Sequence, residues 1–264
     1  MTRTLHSEWT KLRTQRGTLV ALLATGVLMA GFSAFFASEQ QTDTRFPGDD
    51  DVIQMGLMGV AFAELAVVVV GASLITSEFA TGMMRTTLTA TQGRARVLAS
   101  KAIVLCIVVF PVALVAAAVG FVPAQSLLRA NGYAPPAYAE VSLTDPTAIR
   151  AVVGTALLLT AYAVIALGLG TILRHSGATI AAGVGVLFLP LLFLGTFPAT
   201  FARRMEQLTP LAGMAIQSRG DRMLSAFDGR AGMPIQPWQG LAVAFAWALG
   251  LLVLGGLALR YRDV

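Results

Sequence analysis

The charges in this 264-residue chain are spaced too far apart for a soluble fold. Positions 17–38, 102–128, 151–173, 176–202 and 231–259 carry no Asp, Glu, Lys or Arg, and 52–77 holds one acid, Glu64. Each gap accommodates the ~20 apolar residues that cross ~30 Å of hydrocarbon. Six spans follow, at 17–37, 54–75, 102–123, 151–172, 178–198 and 239–259. Composition agrees, with 56% apolar and 12% charged residues against about 25% charged in soluble domains. A buried helix in a large soluble protein is the competing reading of any single gap. Six such helices in one short chain would leave no surface to wet. The same apolar content excludes a disordered chain. One cysteine and two histidines give little material for a disulfide framework or a metal cluster.

Lys11, Arg13 and Arg16 precede the first apolar stretch, as they would in a signal peptide. That stretch outlasts the ~15-residue core of a signal peptide. No small-x-small cleavage site follows it, so a retained first helix is expected. Basic residues set orientation. Arg3, Lys11, Arg13 and Arg16 lie before span one, whereas Arg45 stands alone among acids after it. The expected topology has both termini in the cytoplasm. The segment 199–238 strains it, because Arg203, Arg204, Arg219, Arg222 and Arg230 then fall outside. A net charge of +5 suits lipid headgroups, and no nucleic-acid-binding motif is present.

Three segments outside the spans carry a pattern. In 3–16, Leu5, Trp9 and Leu12 share a helical face, which predicts an amphipathic interfacial helix with Trp9 as its anchor. The alternative is an ordinary basic flank. The segment 76–101 mixes Phe79, Met83, Met84 and Leu88 with Glu78, Arg85, Arg94, Arg96 and Lys101. It predicts a short helix over 78–88, with Glu78 in its favourable first turn, then a turn near Gln92 and Gly93. Its bland reading is a positively charged inner loop; the sharper one is a rigid lever for a cytoplasmic partner. In 199–238, apolar Leu208, Leu211, Met214 and Ile216 predict a short helix on the outer surface.

Inside the spans, Glu64 is costly and needs a partner or a cavity. Structural packing, a substrate pathway and proton relay are its candidate roles, and Tyr162 offers a hydroxyl. Pro111 and Pro190 interrupt their helices' hydrogen bonding. Gly168, Gly170, Gly183 and Gly185 permit close helix contact. No phosphate-binding GxxxxGK[ST] loop occurs, so any ATP must bind a separate subunit.

In order along the chain, Ser7-Glu8-Trp9-Thr10-Lys11-Leu12-Arg13-Thr14, Ile75-Thr76-Ser77-Glu78-Phe79-Ala80-Thr81-Gly82, Met84-Arg85-Thr86-Thr87-Leu88, Arg96-Val97-Leu98-Ala99-Ser100-Lys101 and Arg174-His175-Ser176 resemble a bacterial ABC-2 type ABC transporter permease. Met83 after Gly82 replaces a threonine common in such proteins. The resemblance implies an all-α polytopic fold of six transmembrane helices, an interfacial helix at 3–16 and a cytoplasmic coupling helix within 76–101. It implies a single permease domain over 1–264 in the bacterial cytoplasmic membrane. It implies pairing with a second permease copy or homologue, and with a cytoplasmic ABC ATPase dimer that binds ATP and Mg. Glu78, Gly82 and Arg85 would then be the coupling residues, as contacts or local braces. The chain itself would perform no chemistry. The cargo would be an amphiphile, drug, peptide or lipid moved outward. A membrane sensor or immunity factor, or a secondary carrier, is the alternative function.

Overall fold

The computed structural model describes residues 2–41, 51–84, 93–193, 198–219 and 235–261. Residues 85–88 of the expected 78–88 helix, Arg85 among them, and Gln92, Arg45, Arg222 and Arg230 lie outside the described residues. Every regular element among the described residues is helical. They are α1 (Thr2–Thr14), α2 (Arg16–Glu39), α3 (Val52–Gly56), α4 (Val60–Ala80), α5 (Arg94–Ala130), α6 (Pro146–Leu173), α7 (Ser176–Phe193), α8 (Ala199–Leu208), a 3₁₀ segment (Pro210–Gln217) and α9 (Pro237–Tyr261).

Five of these helices, α2, α4, α5, α6 and α9, are long and apolar enough to cross a membrane; α7 is apolar but shorter. The chain is therefore an all-α polytopic membrane protein. The first four long helices alternate in direction, and α9 runs the same way as α6. At one end, here called proximal, the Arg94 guanidinium donates to the carbonyls of Leu259 and Arg260 and so joins the start of α5 to the end of α9. At the distal end, Asn131 donates through Nδ2 to the carbonyls of Ala37 and Ser38, 3.0 Å from each. One apolar core runs from Leu12 in α1 to Leu259 in α9.

The central helix is α6. In its most apolar stretch 83% is buried, against 22% in α2 and in α9. The outward faces of the peripheral helices expose Leu23, Val27, Val119, Leu192 and Val253, the side chains a hydrocarbon solvent accepts. Trp238 and Tyr261 are exposed at opposite ends of α9. Gly168 and Gly183 meet Leu251 and Val68 across helix contacts. Both Pro111 and Pro190 lie inside continuous helices.

Three elements differ from the sequence expectation. The second span is shifted. Asp51 caps the short helix α3 by accepting from the amides of Ile53 and Gln54, and the long helix begins only at Val60. That helix then continues to Ala80, so Glu78 sits in its last turn rather than opening a new helix. Gly82, at φ 70°, ends the run.

The third difference is the stretch 208–217. It does not lie on the surface, because all eight residues of the 3₁₀ segment are buried. The Tyr162 hydroxyl donates to the Pro210 carbonyl at 3.2 Å, and Trp247 Nε1 donates to the Leu208 carbonyl at 2.7 Å. Gln217 Nε2 donates to Thr155 Oγ1 at 2.9 Å, and the Arg150 guanidinium donates to the Ser218 carbonyl. Tyr162 is ~24 Å along α6 from its distal start, and Trp247 ~15 Å along α9, at 1.5 Å per residue. The segment thus enters the bundle to about half its depth. Irregular backbone at that depth must be enclosed by protein, and side chains of α6 and α9 satisfy it here.

Close packing against α6 depends on Gly71. A β-carbon there would run into the Ala163 backbone carbonyl. Gly71→Ala is expected to lower stability by about 1–3 kcal/mol, as overpacking does, read as a lower melting temperature in detergent. An unchanged melting temperature would show that α4 and α6 have room to separate.

Candidate functional site: a buried ring of four charges

At the proximal end, three elements bring four charged side chains together. Glu8 and Lys11 are one helical turn apart on α1. Glu78 closes α4, and Lys101 lies in the third turn of α5. Lys101 Nζ is 2.6 Å from Glu8 Oε2 and 2.8 Å from Glu78 Oε1. Lys11 Nζ is 2.8 Å from Glu78 Oε1 and 3.1 Å from Glu8 Oε1. The four groups form a closed square of alternating sign with zero net charge.

Burial makes this square consequential. Lys101 has no solvent exposure, Glu8 retains 3% and Glu78 5%. An ammonium withdrawn from water is tolerable only with anions against it. Two carboxylates face Lys101, and they come from different helices. The last turn of a helix disfavours an acid, so Glu78 is stabilised there by its two lysines. Lys11 is partly exposed and its edges of the square are worth less. Partial burial works against its ammonium, yet the hydrogen bond and charge of Glu78, then those of Glu8, hold its pKa above the ordinary lysine value. Its contribution is complete at neutral pH and is lost only as pH rises through that raised pKa.

Neighbouring contacts extend the joint. The Arg174 guanidinium, in the left-handed residue that ends α6, lies 5.3 Å from the centre of the Phe79 ring. The last turn of α4 therefore touches α1 and α5 through Glu78, and the α6 terminus through Phe79.

The structure separates the residues that the sequence singled out. Glu78 belongs to the square. Gly82 is exposed just beyond it. Trp9 is 43% exposed on the outer face of α1, while Leu12 enters the core. The face of α1 turned to the bundle carries Glu8 and Leu12. Glu64 and Tyr162 are buried on two helices, α4 and α6, that pack against each other. Glu64 Oε2 has no hydrogen-bond partner among the described residues. Glu8, Lys11 and Lys101 were not recognised as a site. One signal pointed to them: Lys11 and Lys101 are the only lysines among nineteen basic residues.

Residues 4–133 match the family model of ABC-2 family transporter proteins. That match supports an ABC-2 type permease. A comparison with curated proteins finds no match. The matched segment runs from α1 through α5 to Tyr133 and contains all four residues of the square. The ABC-2 chain is thus a membrane transport component whose family signature encloses its most buried charges.

Two predictions follow from the electrostatics of this ABC-2 chain. Lys101→Met leaves the square with a net negative charge and is expected to cost about 3–5 kcal/mol. Adding Glu8→Gln restores neutrality and keeps the Lys11–Glu78 pair, so the double variant is expected to melt above the single one. Equal or lower melting would show that the two charges do not couple. For Glu64, the amide is nearly isosteric and Oε2 has no hydrogen-bond partner among the described residues. Glu64→Gln is therefore expected to match or exceed the parent melting temperature; a loss above about 1 kcal/mol, the value of a hydrogen bond, would reveal a partner.

Proposed function

We propose that this chain is the membrane-spanning subunit of an ATP-driven ABC exporter in the bacterial cytoplasmic membrane. The observation that carries the reading is the ABC-2 family match over residues 4–133, the part of the chain that holds α1, the 76–101 segment and the first long helices. Both termini and the proximal end face the cytoplasm in this reading, in keeping with Arg3, Lys11, Arg13 and Arg16 before the first long helix. A cytoplasmic ATPase dimer supplies the energy and holds ATP and Mg. A second permease copy or homologue completes the pathway, and the cargo is an amphiphile, drug, peptide or lipid.

The ATPase engages the segment between α4 and α5. Gly82 and Arg85 belong to the contact. Glu78 serves as its brace, since its carboxylate is turned to Lys11 and Lys101 within the chain. Movement of the ATPases displaces this segment and biases the bundle between two packings. Displacement of α4 carries Glu64 past Tyr162, where a polar cargo group would meet an acceptor without a fixed partner. Trp9 holds α1 at the level of the lipid headgroups.

Isolation in mild detergent tests the assignment. A stoichiometric ATPase subunit is expected to co-purify, and Arg85→Glu is expected to reduce its recovery at least tenfold without lowering permease yield. A permease that transports in reconstituted vesicles with no ATPase present would overturn the assignment.

A further inference from the structure

We propose that α1 is a working strut of the coupling joint, held by the charge square, and that Lys101 is its positioning residue. The inference rests on the exporter reading for its functional consequence, though not for its mechanical part. A helix that only floats at the membrane surface needs its apolar residues in lipid and its charges in water. This one does the reverse with its inward face. Glu8 is almost fully buried against Lys101 on α5, and Lys11 reaches Glu78 on α4. The partners lie 93 and 67 residues away in the chain, so the square fastens three separate elements at one point.

The choice of cation supports a positional role. Every basic residue outside the square is arginine, and both lysines of the chain are in it. A guanidinium is a planar fork suited to one carboxylate at a time, whereas an ammonium is a compact charge whose donors diverge. Each lysine here bridges two carboxylates at 2.6–3.1 Å. An arginine at position 101 would need more length and a flat acceptor in a site with no solvent exposure. The square therefore demands lysine on geometric grounds, and charge alone does not suffice.

Its alternating order also limits how it tolerates change. Exchanging Glu8 and Lys101 places two cations side by side and two anions side by side. Only exchanging all four corners restores four attractive edges. Glu8→Gln with Lys11→Met takes the opposite course. It removes the two charges that α1 contributes to the square and leaves the buried Lys101–Glu78 pair compensated, so α4 and α5 stay joined while α1 is released.

The test uses this last variant. Spin labels are placed at exposed Arg13 and Thr81 by Arg13→Cys and Thr81→Cys in a Cys106→Ser background, and their distance distribution is measured by pulsed electron resonance. The parent is expected to give one narrow distance. Glu8→Gln/Lys11→Met is expected to broaden it at least twofold with the melting temperature kept within a few degrees. Lys101→Arg is expected to broaden it as well. In the complex with its co-purified ATPase, the released variant is expected to lose at least fivefold of the permease-stimulated ATP turnover while ATPase recovery is unchanged. A narrow distance in the released variant would overturn the strut. A broadened distance with full turnover would overturn its part in coupling. Failure of any ATPase to co-purify would count against the exporter reading, and the distance measurement on the permease alone would still decide the strut.

Discussion

A lysine with no exposure to water governs the proximal end of this protein. The Lys101 side chain is enclosed by the bundle. Among the described residues, its compensation comes from Glu8 on α1 and Glu78 on α4. Those two carboxylates are themselves buried and depend on Lys101 and Lys11 in turn. Mutual dependence makes the arrangement stiff, because loss of any one corner leaves an uncompensated charge in a medium of low dielectric. The position of α1, the endpoint of α4 and the start of α5 follow from this one condition. The Arg174–Phe79 contact then fixes α6 against the same turn. The distal half is organised by different means. Close backbone approach at Gly71 and Gly240, against Ala163 and Ala212, sets the spacing there.

The two halves differ in how much the linear chain reveals. Uncharged stretches are a local property, and the expected spans fall within α2, α5, α6 and α9, with α5 extending well beyond its span at both ends. A charged pair is not local when its members are dozens of residues apart. Glu8, Lys11, Glu78 and Lys101 each read as a solvated flank of a nearby span. Their meeting depends on two long helices ending at one level, which no window of sequence contains. Glu78 shows the cost of local reasoning. An acid after an apolar run looks like the first turn of a new helix, yet α4 continues through it because lysines from elsewhere accept it. On α1, periodicity groups Trp9 with Leu12, and tertiary contact adds Glu8 to the buried side.

The 208–217 stretch was opaque for a further reason. Apolar residues with proline and glycine at Pro210 and Gly213 fit a short surface element or an enclosed one equally well. The decision belongs to Tyr162 and Trp247, which supply donors at the right depth, and to Thr155, which accepts from Gln217. By contrast, the place of Glu64 within a long helix was plain from its apolar neighbours, and the chain alone was silent about its missing partner.

The enclosed 3₁₀ segment has a consequence for how the molecule is made. Pro210–Gln217 packs on α6, which precedes it, and on α9, which leaves the ribosome after it. Gly240, at the start of α9, sits directly against the Ala212 carbonyl. Until α9 arrives, one side of the segment has no cover, and its backbone has no place in hydrocarbon. The hairpin must therefore wait near the headgroups and sink in last. Assembly of this bundle closes from its C-terminal helix inward, so a nascent chain truncated before Pro237 holds the helices but not the plug between them.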